Sequence, residues 1–233
     1  MAKHYKLLDT PPEYNEIIGD DRNTFIKRVY SIIYLQLMFT IGVCSLFVYN
    51  DSIKDFMQNS NGGQSLLTTS LIFQIVLMLV LVCTNIHRNT PCNYIILSFF
   101  TLFLSITLGT ISSYYDTNTL LMAAGATGLI TLGLTLFAFQ TKYDFTGFGP
   151  YILCFLLVLV FMGILSLFIK SQIYNIIYSS VGALLFSFCI VYDTQLIIGG
   201  KHKYSYDVND HVFAALSLYL DIINLFTYLL RII

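Results

Sequence analysis

Two aspartates stand inside runs of apolar residues: Asp193 in "FCIVYDTQLIIGG" and Asp221 in "SLYLDIINLF". A charged group at bilayer depth costs at least about 2.5–3.5 kcal/mol on insertion scales, so a carboxyl placed there defaults to function. All but these two of the 13 acidic residues fall in the N-terminal arm or in loops. Two carboxyls that meet in a low-dielectric site cannot both ionise cheaply. They should share a proton and titrate as a pair. The protonated pair is a neutral clasp, and the deprotonated pair repels itself or attracts a cation. That is the chemistry of a proton-controlled latch on a cation path. The alternative is two separate aspartates, each bonded to a hydroxyl or amide such as Tyr192 or Asn224.

The elements that carry these residues follow from composition. The chain has 233 residues, 56% hydrophobic and only 11% charged. Soluble domains carry about 25% charged residues, so this chain needs lipid as its solvent. A net charge of −1 gives no electrostatic footprint for nucleic acid. Five cysteines, scattered and mostly in apolar runs, form neither a disulfide framework nor a zinc site. The four histidines lack ligand spacing, and no cofactor is expected.

Seven apolar segments have spanning length: 29–49, 66–86, 94–114, 119–139, 150–170, 174–198 and 212–232. A helix needs about 20 residues to cross about 30 Å of hydrocarbon. The sequence therefore predicts an all-α integral membrane protein, a seven-helix bundle over residues 29–233 behind a cytosolic arm, 1–28. The two prolines and the acidic residues of "LLDTPPEYNEIIGDDRN" disfavour a long helix there, and no cleaved signal is visible. Turn chemistry marks the breaks, most of them short, so consecutive helices should be antiparallel neighbours. An N-in orientation puts Lys3, Lys6, Arg22, Lys27, Arg28, Arg88, Lys142, Lys201 and Lys203 inside, against Lys54, Lys170 and Arg231 outside. The last segment either crosses or re-enters. Small residues at i, i+4 spacing (Ser179, Ala183 and Ser187; Ser105 and Gly109; Ala124 and Gly128) mark expected packing faces.

The last helix is amphipathic within the membrane. Ala214, Ser217, Asp221, Asn224 and Tyr228 share one face, so that face should turn toward protein or water. Helix–helix hydrogen bonding is the first role expected of Ser217, Asn224 and Tyr228. Asp193 lies about 7–8 Å from the cytosolic break and Asp221 about 13–14 Å from it. The mismatch of about 6 Å is within boundary error of a few residues, so adjacent antiparallel helices could bring the carboxyls together. His87 and Arg88 end the second helix on the same side, as interfacial anchors or as basic partners of the latch.

"IVYDTQLI" followed by "HVFAALSLYLDIINLFTYLLRI" resembles the signature of the Bax-inhibitor-motif (TMBIM) membrane proteins. "FIKRVYSIIYLQL", "FAFQTKYDFTGFGPYI" and "GALLFSF" agree, and the similarity runs from Asp21 to the end. "NIHRNTPCNYIILSFFTL" is most similar to the Golgi anti-apoptotic protein branch. An AT-rich flavour to the composition and a short tail add the expectation of a virus-encoded homologue. The resemblance implies a central last helix wrapped by the others, residence in Golgi or endoplasmic reticulum membranes, a pH-sensitive calcium leak that lowers luminal calcium, and inhibition of apoptosis. It also implies that Asp193 pairs with Asp221. An arginine near the end of the second helix contacts that pair in bacterial relatives; here His87 takes its place, with Arg88 adjacent.

Two other functions compete. A non-conducting scaffold would need only the bundle and its surface to bind apoptosis or calcium-channel proteins or a second copy. An intramembrane aspartyl protease also uses two aspartates, but Asp221 sits in "YLDI" without the glycines of such enzymes. No enzymatic activity is expected.

Overall fold

The computed structural model describes residues 12–200 and 202–233. Eight α-helices follow in order: α1 (Pro12–Tyr49), α2 (Asp51–Asn59), α3 (Asn61–Cys83), α4 (Cys92–Ser112), α5 (Thr117–Gln140), α6 (Gly149–Ser166), α7 (Gln172–Ile198) and α8 (His211–Ile232). All but α2 contribute candidate spans, seven in all. The fold is an all-α transmembrane bundle, as the hydropathy pattern predicts. The last segment is one unbroken helix of 22 residues, about 33 Å long at 1.5 Å per residue. That is long enough to cross.

Two boundaries differ from expectation. The first helix reaches back to Pro12, into the stretch read as an arm; residues 1–11 of that arm lie outside the described residues. Proline is tolerated in a first helical turn because its missing N–H would be unpaired there anyway. The second difference is α2, which occupies what was read as a loop. Asn50 starts it by accepting from Ser52 N at 3.1 Å and Ile53 N at 3.2 Å. Ser60 then accepts from Gly63 N at 2.9 Å and opens α3. The α2–α3 corner is close. A Cβ at Gly63 would overlap the backbone of Phe56 and Met57.

Helix α8 is central. It packs against α7, α1, α5 and α4. Ala214, Ala215, Leu216, Leu218, Tyr219 and Leu225 are all buried on it. Helices α4 and α7 are the other buried spans, while α3, α5 and α6 expose most of their apolar surface to lipid. Association between such helices gains little from hydrophobicity, because lipid is as apolar as leucine; packing and hydrogen bonds decide it. A hydroxyl cluster supplies those bonds on one face of α8. Thr40 Oγ1 lies 2.7 Å from Tyr219 Oη and 3.0 Å from Ser105 Oγ, and Gln36 Nε2 donates to Thr101 Oγ1 at 2.9 Å. Close packing supplies the rest. Gly182 lies under the Tyr228 ring and Gly109 under Phe47. The Ala124–Gly128 face departs from expectation. A Cβ on Gly128 would meet nothing within 4 Å, and the face lines a groove of about 410 Å³ between α1, α5 and α8.

The loops at the end where α1 begins are tied to one another. Buried Gln195 accepts from Phe145 N at 2.7 Å and donates to Tyr143 O at 2.8 Å, pinning the α5–α6 loop to α7. Asp144 accepts from Thr146 Oγ1 at 2.7 Å, Thr146 N at 2.9 Å and Lys203 N at 2.8 Å, joining that loop to the α7–α8 loop. The Thr146 hydroxyl, with the two backbone donors, holds the Asp144 carboxyl down at about 2.

Two predictions follow from this packing. Gly63→Ala should lower stability by about 1–3 kcal/mol, the usual cost of overpacking against backbone, whereas Gly128→Ala should leave it unchanged or slightly higher. Thermal unfolding in detergent checks both. Asp144 is depressed in the folded state, so its stabilisation is present above the ordinary carboxyl range and lost as pH falls from about 4 toward about 2. Asp144→Asn should therefore melt below the wild type at neutral pH, and the gap should close over that acid window.

Candidate functional site: a buried carboxyl pair

The structure brings Asp193 of α7 and Asp221 of α8 together. Each is 8% exposed, on two helices packed side by side, and the two carboxyls are electrostatic neighbours. A carboxylate has no donor, so a hydrogen bond between them requires one shared proton. Asp221 Oδ2 is buried and has no hydrogen-bond partner among the described residues. The Cys189 thiol, one turn before Asp193, lies beside both carboxyls.

Helix geometry explains how unequal depths are reconciled. Asp193 stands five residues before the end of α7 and Asp221 ten residues after the start of α8. At 1.5 Å per residue these are about 8 Å and about 15 Å. For antiparallel neighbours, contact requires α8 to begin about one turn beyond the end of α7. The connecting loop turns back to cover that step. Gly199 and Gly200 start it with φ of 61° and 72°, a conformation that side-chain-bearing residues rarely adopt. Tyr206 N then donates to Leu196 O at 3.1 Å.

Tyr206 was hidden to sequence reasoning, yet it completes the site. Its hydroxyl donates to Asp193 Oδ1 at 3.4 Å, and Ser217 of α8 lies close to it. Burial, with the neighbouring Asp193, pushes the Tyr206 phenol well up, so it remains a donor. Arg22 was equally unforeseen. Its Nε donates to Ile198 O at 3.0 Å, its Nη1 to Tyr206 O at 2.7 Å and its Nη2 to Leu196 O at 2.6 Å. These partners are backbone carbonyls remote in sequence. The only sequence signs of them were the Gly-Gly pair and an aromatic residue within a polar loop.

The expected basic partners sit elsewhere. Arg88 Nε and Nη2 donate to the two carboxyl oxygens of Asp210 at 2.6 Å and 2.9 Å. His87 Nε2 lies 3.4 Å from Asp210 Oδ1, while its Nδ1 is 2.8 Å from Thr84 O and 3.1 Å from Leu81 O. Both therefore bind the start of α8 rather than the carboxyl pair. The short 3₁₀ turn Asn85–Arg88 aims them there, against the 3₁₀ turn Val208–Asp210. The polar stripe of α8 also divides. Ser217 joins the site through Tyr206. Asn224 donates to Leu220 O of its own helix at 2.8 Å. Tyr228 Oη is 3.0 Å from Tyr178 Oη, and its ring stacks on Phe186.

Among the described residues no three His, Cys, Asp or Glu side chains form a metal-holding group. The site offers two carboxyls and two hydroxyls, a thin shell beside the six to eight oxygens Ca²⁺ takes when held. It can exchange a proton and attract a cation briefly.

Comparison with known proteins agrees with this architecture. The family model described as inhibitor of apoptosis-promoting Bax1 matches residues 22–233. Protein lifeguard 3 of Homo sapiens is 31% identical over 90% of this chain and 68% of its own length. Protein lifeguard 4 of Mus musculus is 35% identical over 97% of both chains. The matched region includes Arg22, every span and both aspartates, so this multi-pass membrane chain belongs to the family of inhibitors of apoptosis-promoting Bax1.

Proposed function

We propose that the protein is a pH-sensitive cation leak, with Ca²⁺ the ion carried, that lowers luminal calcium in an intracellular membrane and thereby inhibits apoptosis. The observation that carries this reading is the burial of Asp193 and Asp221 as neighbours on packed helices inside an apolar bundle. With one proton shared, the pair is a clasp holding α7 to α8. When the proton leaves, two like charges face each other at low dielectric, and their repulsion is relieved by separation or by a cation. The paucity of ligands suits passage, because a site that conducts must bind weakly enough to release.

Orientation follows from the basic residues. Arg22, Lys27, Arg28, Arg88, Lys142 and Lys203 cluster with the ends of helices on the face where α1 begins, and this face is proposed to be cytosolic. Residence in Golgi or endoplasmic reticulum membranes is part of this reading, as the sequence resemblance implies.

Purified protein in calcium-loaded liposomes tests the proposal. Flux should rise with pH by up to about tenfold per unit, the limit for release of a single proton. Asp221→Asn keeps a donor for Asp193 but has no proton to lose, so its flux should stay low and flat with pH. Liposomes that remain tight to calcium at every pH would support a partner-binding scaffold instead.

A further inference from the structure

We infer that Arg22 is the positioning residue of a lid, formed by Tyr206, that closes the carboxyl pair from the face where α1 begins. The inference rests on the pair being the gate of the proposed leak. Arg22 is the link between three segments: it leaves α1, grips the last carbonyls of α7 at Leu196 and Ile198, and grips Tyr206 in the α7–α8 loop. A guanidinium presents several donors in one rigid plane, which fits three convergent carbonyls; an ammonium would not span them. The carbonyls at a helix C-terminus also carry partial negative charge, which favours a cation there.

The guanidinium is itself held. It lies 4.7 Å from the ring centroid of buried Phe25, one turn along α1. Its other side is Gly199, where a Cβ would meet Nη2 at 2.5 Å. Only glycine leaves room for the arginine and also accepts a φ of 61°. The consequence falls on Tyr206. With its backbone N–H on Leu196 and its carbonyl on Arg22, the residue is fixed at both ends of its peptide. The fixed backbone aims the phenol at Asp193 and Ser217. Without Arg22, one backbone bond, one long side-chain bond and the edge-on packing of the ring against Phe213 would hold the lid.

Two native thiols report on the lid without relying on calcium. Cys189 is buried beside both carboxyls. Cys44 is buried in a separate cluster among α1, α3, α4 and α8. Chains retaining one of these cysteines and serine at the other four positions are placed in nanodiscs. A charged methanethiosulfonate then measures the rate of labelling. Arg22→Gln should speed labelling of Cys189 by about tenfold or more, the change expected for losing one charge-assisted bond, and leave Cys44 unchanged. Arg22→Lys should fall between Arg22→Gln and the wild type.

An unchanged Cys189 rate would overturn the lid. So would an equal rise at both thiols, which would mean general loosening. If Arg22→Gln does not fold, Tyr206→Ala removes the lid side chain alone and must open Cys189 selectively, or the inference fails. Calcium flux on the same chains separates the two ideas. Selective opening of Cys189 without calcium passage at any pH retires the leak and keeps the lid. Passage that depends on Asp221, with Cys189 closed in both variants, retires the lid and keeps the leak.

Discussion

A hydrogen bond between two acids in a medium that does not tolerate charge requires a proton, and the surroundings of Asp193 and Asp221 answer to that requirement. The carboxyls are turned away from lipid because the helices bearing them, α7 and α8, are two of the three most buried spans. They meet because α8 starts about a turn beyond the end of α7, a stagger supported by the loop that Arg22 clamps. The Tyr206 hydroxyl reaches Asp193 from that same loop. Each arrangement lowers the energy of a shared proton and raises that of two free charges.

The central helix has different chemistry on its two sides. Toward α1 and α4 it presents Tyr219 to Thr40 and Ser105, groups that donate and accept without changing charge. Toward α7 it presents Asp221. In the proposed leak, a change of pH acts on the Asp221 side of α8 and leaves the other side bonded. The start of the helix is anchored separately, by Arg88 and His87 on Asp210. An account in which the gate opens by parting α7 from α8 agrees with this asymmetry, because the hydroxyl side offers no comparable release.

Legibility in the sequence followed the range of the forces involved. The spans were readable because hydropathy is additive along a helix, and the two aspartates because a carboxyl in an apolar run is costly and rare. Helix α2 was missed because nine residues with charges among them resemble a loop until Asn50 caps them and Gly63 seats them. His87 and Arg88 were left between interfacial anchors and partners of the pair, since a linear depth estimate cannot show that a 3₁₀ turn aims them at Asp210. Arg22 and Tyr206 left almost no trace because their partners are carbonyls, which every residue carries. The backbone path that gathers those carbonyls exists only after folding. Family resemblance supplied the pairing of Asp193 with Asp221; it did not supply the residues that enclose the pair.

The most direct test counts the proton. Infrared difference spectra of wild-type protein against Asp221→Asn, recorded across neutral and alkaline pH, isolate the carbonyl stretch of a protonated carboxyl from the bands of ionised ones. One protonated carboxyl per chain at neutral pH, vanishing as pH rises, is the predicted result. A pair with no protonated member at neutral pH, or one that keeps its proton throughout the alkaline range, would contradict the account.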